Sequence, residues 1–272
     1  MNYTEFMNAM LCEIRGQVDA QVRTELYTVT KNNGTRRTGI LFKQEDSNLA
    51  PTIYLEEFYQ KYLKGQQDSI CSIYQEIRVK KTCDCQNLFD FNHVKEHIVY
   101  KLIRRDANEE LLKQIPYEPF LDLAVVYYIQ IDNTRFGSAA IQIRNEHLRY
   151  WRVEKEEIRR LAEKNTPRIY PVQIRQIVRF MYVATNEQCS LGAAVMRYPD
   201  FREKVRGMIR GDFYILPSSI HEVILVPESF GLEPERMQEM VKEINQTGVA
   251  PEEVLSDSVY YFDGEEIRIV AK

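Results

Sequence analysis

FYILPSSIHEVILVP, residues 213–227, decides the fold. FYIL at 213–216 and EVILV at 222–226 are rich in β-branched and aromatic residues, the composition of strands, and only residues 217–221 lie between them. A parallel crossover needs a dozen or more residues, so these two strands must fold back on each other and the sheet is at least partly antiparallel.

The segments on either side extend that sheet and cover it. Downstream, Pro234 suits a first helical turn, Met237, Met240, Val241 and Ile244 form one apolar stripe, Gly248 stops the helix, and Asp263-Gly264 joins two final strands. Upstream, Phe201, Val205, Met208 and Ile209 mark a helix ended by Gly211, FMYVAT at 180–185 a strand, and Ile158, Leu161 and Ala162 another helix. LAVVYYIQI at 123–131 has the near-continuous apolar character of a strand buried on both faces, and AAIQI at 139–143 pairs with it across a turn between Asn133 and Gly137. Before them Asn92 is placed to cap a long helix carrying Val94, Ile98, Leu102, Leu111 and Leu112, interrupted near Asp106 and stopped by Pro116 and Pro119. The expectation is an α+β protein with a mixed, largely antiparallel sheet flanked by helices, 123–131, 139–143, 180–185, 213–216 and 222–226 lying in that sheet.

The N-terminal third reads as a smaller hairpin-and-helix region. Phe6, Met10 and Ile14 line a helix ending near Gly16, and Asn33-Gly34 turns a hairpin between 22–30 and 39–42. A helix over 54–63 follows, with Thr52 as its cap, and Ile70, Ile73, Tyr74 and Ile77 suggest another. The polar run KKTCDCQN at 80–87 is the linker, which divides the chain into 1–88 and 89–272.

Composition narrows the class. In 272 residues, 44% hydrophobic and 28% charged with 11 Gly and 10 Pro exclude collagen-like, disordered and disulfide-scaffold proteins. A net charge of −4 gives no broad cationic field for nucleic acid. The five scattered cysteines, odd in number, and an N-terminus without a basic stretch and apolar run point to a reducing cytoplasm, and no segment has the apolar length of a membrane span. No dinucleotide or phosphate-loop glycine pattern occurs, so no cofactor is expected.

Three places carry chemistry. Cys83, Cys85, His93 and His97 are the zinc-ligand residue types, but one residue between the cysteines turns the sulfurs apart, and no metal is expected. Ser219, His221 and Glu222 crowd the turn at 217–222, where strand-end polar groups either form a site or cap backbone groups; neighbours on a strand point to opposite faces, which makes a complete nucleophilic triad from them difficult. Residues 144–210 hold 15 Lys+Arg against 8 Asp+Glu, whereas 222–266 hold 2 against 12. Within the basic stretch Arg149, Tyr150, Trp151 and Arg152 stand side by side, a set suited to a partner surface or, with its arginines, to single-stranded nucleic acid.

Six strings, KNNGTRRTGI at 31–40, NLAPTIYLEEFYQKY at 48–62, HIVYKLI at 97–103, FLDLAVVYYI at 120–129, ILPSSIHEVILVP at 215–227 and GVAPEEVLSDSVYYF at 248–262, resemble an uncharacterised domain-of-unknown-function family of Gram-positive, largely clostridial bacteria, often found on mobile elements. More distantly the second half is similar to the YtpQ-like cytosolic family. Neither resemblance implies an activity; the strings leave out Cys83, Cys85 and His93 and include His221. The function expected is therefore a cytosolic, non-enzymatic interaction module that binds a protein through Arg149 to Arg152. A hydrolase using Ser219, His221 and Glu222 with an acidic partner elsewhere, and a nucleic-acid binder using 144–210, stand as the alternatives.

Overall fold

The computed structural model describes residues 1–44, 50, 52–66, 90–134 and 137–272. The helix expected over 70–77 and the linker at 80–87, with Cys83 and Cys85, lie outside the described residues. The chain forms two compact units, Met1–Phe89 and Asp90–Lys272.

In the first unit α1 (Tyr3–Arg15) starts in a reciprocal cap: Asn2 Oδ1 accepts from the Glu5 amide at 2.9 Å, while the Asn2 amide donates to Glu5 Oε2 at 3.0 Å. β1 (Val22–Thr30) and β2 (Arg36–Gln44) form the hairpin, with Asn33 at φ 57° and Gly34 at φ 70° making its turn. β3 (Thr52–Tyr54) adds to β2, so Thr52 lies in a strand and does not cap the following helix, α2 (Glu56–Leu63). Phe6, Ile14, Val22, Ile40, Phe42, Ile53 and Leu55 close a small core between the helices and this sheet.

The second unit holds two antiparallel sheets. β4 (Ile98–Arg104), β5 (Tyr117–Phe120), β6 (Leu123–Thr134) and β7 (Gly137–Gln142) form the first, with β6 paired to the other three. Helices α3 (Asn145–Trp151) and α4 (Lys155–Ile169) lead to the second, ordered β13-β12-β10-β11-β9-β8, in which β8 is Val172–Val178, β9 Met181–Asn186, β10 Phe213–Leu216, β11 Val223–Pro227, β12 Val259–Phe262 and β13 Ile267–Ala271. α5 (Phe201–Arg206) precedes β10, and α6 (Pro234–Thr247) lays Met237 and Val241 on Leu216, Val226 and Val259. α4 closes the edge of β4: the Asn165 amide donates to the carbonyls of Lys95 (2.8 Å) and Ile98 (3.0 Å), and Thr166 Oγ1 accepts from the Tyr100 amide at 3.0 Å.

The fold class and the 213–227 hairpin are as expected, and three details of the second unit are corrected. The long helix from Asn92 is absent: a single helical turn, Phe91–Val94, capped by Asp90, gives way to strand β4. Apolar residues at 94, 98 and 102 are spaced by four, an interval that fits both a helix turn and a strand's alternation, and the β-branched and aromatic IVY at 98–100 decides for the strand. The strands at 123–134 and 137–142 lie in a different sheet from those at 181–186, 213–216 and 223–227, because the α3–α4 connection carries the chain from one sheet to the other. The helix expected to run to Gly211 ends at Arg206, where Gly207 caps it.

Candidate functional site

The turn at 217–222 is held by two neighbouring segments. From one side the Ile220 amide donates to Glu253 O at 2.9 Å, and the amides of Leu255 and Ser256 donate to the carbonyls of Ser218 and Pro217, both at 3.0 Å. From the other the Ala193 amide donates to Ile220 O (3.2 Å) and Thr185 Oγ1 to His221 O (2.7 Å). Gly192 is the residue that lets this second segment approach: a β-carbon there would lie 2.5 Å from His221 O and 2.8 Å from the Asn186 amide nitrogen.

Both ring nitrogens of His221 are engaged. Nδ1 accepts from the Leu191 amide at 3.2 Å, which leaves the proton of the neutral ring on Nε2, 3.2 Å from Glu253 Oε1. Ser219 Oγ accepts from the His221 amide at 3.1 Å, a bond within the turn itself. Glu222 is half-buried and, among the described residues, forms no ion pair with His221. The structure thus brings Ser219 and His221 together through backbone, with the imidazole committed to Leu191 and Glu253. Among the described residues no hydrogen bond joins Ser219 Oγ to the imidazole, the contact through which a nucleophile passes its proton. Glu253, thirty-two positions away, is the partner that the sequence does not mark.

Arg149, Tyr150, Trp151 and Arg152 form the last turn of α3 and its cap. Trp151 is half-buried, its ring 5.7 Å from Phe91 and 5.4 Å from His147, so it fixes the helix rather than projecting from it. His147 Nδ1 accepts from the Arg144 amide at 3.1 Å; burial, helped by the Arg144 charge and opposed by Glu146, holds that imidazole below its ordinary value. Arg152 closes the helix in the left-handed conformation, φ 58°. Tyr150 is 62% exposed between the exposed Arg149 and Arg152, and neither arginine has an ion-pair partner among the described residues.

Much of the remaining basic stretch is spent internally. Arg159 and Arg197 both face Glu118 (3.4 and 3.9 Å), Arg197 also meets Glu163 (3.4 Å), and Arg160 pairs with Glu157 and Lys204 with Asp200. Arg202 and Arg206 donate to the carbonyls of Glu265 and Gly264, which ties the basic helix to the acidic C-terminal segment.

A polar centre in the second unit has no counterpart among the expected sites. Asp122, in the turn between β5 and β6, accepts from Ser256 Oγ (2.6 Å) and Ser258 Oγ (2.9 Å) through Oδ2 and from the Tyr260 hydroxyl through Oδ1. Beside it Arg104 bridges Asp106 and Asp257, each at 2.8 Å, and the Asn245 amide donates to Ser256 O (2.9 Å) and Asp257 Oδ1 (2.8 Å). Burial pushes the Asp257 carboxyl up, but Asn245 and Arg104 outweigh it and leave it below the usual carboxylate range. Burial and the facing Asp122 push the Tyr260 hydroxyl well above its ordinary value. This centre joins β4, the β5–β6 turn, α6 and β12. The one sequence signal for it is SDS at 256–258, polar residues directly before the fully buried strand VYYF.

Among the described residues no group of three His, Cys, Asp or Glu side chains is arranged to hold a metal ion. His93 and His97 are exposed and separated by the end of the helical turn at Val94. No described helix is long and apolar enough to cross a membrane. The chain matches a family described as of unknown function (DUF5688) over residues 3–181 and 178–264, and it belongs to that family. No match exists among curated proteins or solved structures.

Proposed function

We propose that this member of the DUF5688 family is a cytosolic, non-enzymatic interaction module that takes an acidic segment of a protein partner on the last turn of α3. The observation that carries the reading is Tyr150, 62% exposed, standing between two arginines without ion-pair partners on a helix end locked by Trp151, Phe91 and His147. Guanidinium groups pair with carboxylates in two-point hydrogen bonds, and a tyrosine adds contact area at small entropic loss, so a rigid Arg-Tyr-Arg surface suits an acidic partner. The Leu191 amide on His221 Nδ1, with Ser219 Oγ bonded to backbone and not to the imidazole, supports the non-enzymatic side, and the ion pairs of Arg159, Arg160, Arg197 and Lys204 count against nucleic acid. The exposed Cys12 and Cys189, both free thiols, favour the cytoplasm. An accessory role on a mobile element is in keeping with the resemblance of the quoted strings.

The test is a photocrosslinking amino acid placed at position 150 in the native host, with position 208 as an exposed control. The expected result is a discrete protein adduct at 150 that survives nuclease and disappears with Arg149→Glu/Arg152→Glu. An adduct removed by nuclease, or none above the control, overturns the reading.

A further inference from the structure

The six-stranded sheet ends on one side in β13, whose Val270 and Ala271 pack into the cluster under α6, and on the other in β8, exposed over most of its length. Along 172–176 the backbone pairs with β9 alone among the described residues, so the outward N–H and C=O groups of this edge have no protein partner. At its far end Ile177 and Val178 are 53% and 55% exposed. The pairing with β9 shifts register between Gln176 and Val178, which confines the regular, addable part of the edge to 172–176.

We propose that β8 pairs with β8 of a second copy of this chain, antiparallel about a two-fold axis at Ile174, making one continuous sheet. Opposed residues of an antiparallel pair point to the same face, so a two-fold pairing must centre on a residue. Centring on Arg175 sets arginine against arginine, and centring on Gln176 runs the pair into the irregularity at Ile177. Centring on Ile174 sets it against its own copy, Gln173 against Arg175, and Val172 against Gln176, with no like charges opposed and the amide of Gln173 able to accept from the guanidinium. The same register carries the exposed Ile177 and Val178 of each copy toward the Pro171 end of the other, which removes apolar surface from water. An identical strand therefore meets the backbone, charge and apolar requirements of this edge together.

The experiment is light scattering after size-exclusion chromatography of the full chain over a micromolar concentration series, with circular dichroism confirming the fold of each variant. Position 173 is exposed, so substitutions there spare the core. The wild type is expected to approach twice its 32.2 kDa as concentration rises. Gln173→Arg, which opposes Arg175 at two symmetric places, is expected to weaken the dimer about two- to thirtyfold, and Gln173→Glu to tighten it by a similar factor. A monomer at every concentration, or a dimer on which the two substitutions act alike, overturns the proposal.

Discussion

Replacing Asp122 tests the polar centre that ties the two sheets of the second unit together. Its carboxylate accepts three hydroxyl donors, from Ser256, Ser258 and Tyr260, whose residues are 1%, 2% and 0% exposed. Hydrogen bonds to a charged group contribute about 1.5–3 kcal/mol each, and a buried hydroxyl left unpaired costs about 1–3 kcal/mol. The loss in Asp122→Ala is smaller than three full terms, because the three bonds share one carboxylate and are not additive. The expected destabilisation is about 4–6 kcal/mol for Asp122→Ala, against about 1.5–3 kcal/mol for Tyr260→Phe, which removes a single donor. Asp122→Asn keeps one carbonyl acceptor and falls between them. Urea unfolding at neutral pH, followed by circular dichroism, reads all three, and the two milder variants remain measurable if Asp122→Ala does not fold. The double variant Asp122→Ala/Tyr260→Phe should cost less than the sum of its parts, since both act on one bond. An Asp122→Ala protein within about 1 kcal/mol of the wild type refutes the assignment of a joining role to this carboxylate.

Two further outcomes follow from the same geometry. Gly192→Ala is expected to lose about 1–3 kcal/mol or more by equilibrium unfolding, because its β-carbon meets the backbone of His221 and Asn186 as well as Thr185 Oγ1, which is itself bonded to His221 O; unchanged stability would show that the 217–222 turn is not held as described. Asp257 titrates below its ordinary value in the folded protein, so its contribution is complete above the unfolded carboxylate pKa near 4 and is lost as pH falls through the lower folded value; Asp257→Asn should flatten that acid limb of the stability profile, and an unaltered limb counts against the Asn245–Arg104 pairing.

The elements whose signals are local were legible in the sequence. The 213–227 hairpin followed from connection length, α6 from a full apolar stripe between Pro234 and Gly248, and the first hairpin from Asn33-Gly34, which the structure holds at positive φ. β4 reads as a helix because its buried residues satisfy two periods at once, and β8 gives a weak signal because the alternation of Val172 and Ile174 with Gln173 and Arg175 stops at Gln176, after which all residues are exposed. The sites show the same division. Ser219 and His221 were visible as neighbours, but Leu191, Gly192 and Glu253, which determine what His221 does, come from other segments and carry no spacing signal. Asp122 reaches Ser256, Ser258 and Tyr260 across more than 130 positions, and only the folded chain places them together.

The central claim is that the 217–222 turn is a structural strap, the reading on which the proposed binding role rests. A fluorophosphonate probe, which modifies serines activated by a neighbouring base, tests it most directly when incubated with the purified full chain and read by intact-protein and peptide mass spectrometry. The account predicts no adduct at Ser219, since the His221 nitrogens are held by the Leu191 amide and Glu253. Stoichiometric labelling of Ser219 that disappears in a folded His221→Ala variant would contradict it and establish the turn as an active site.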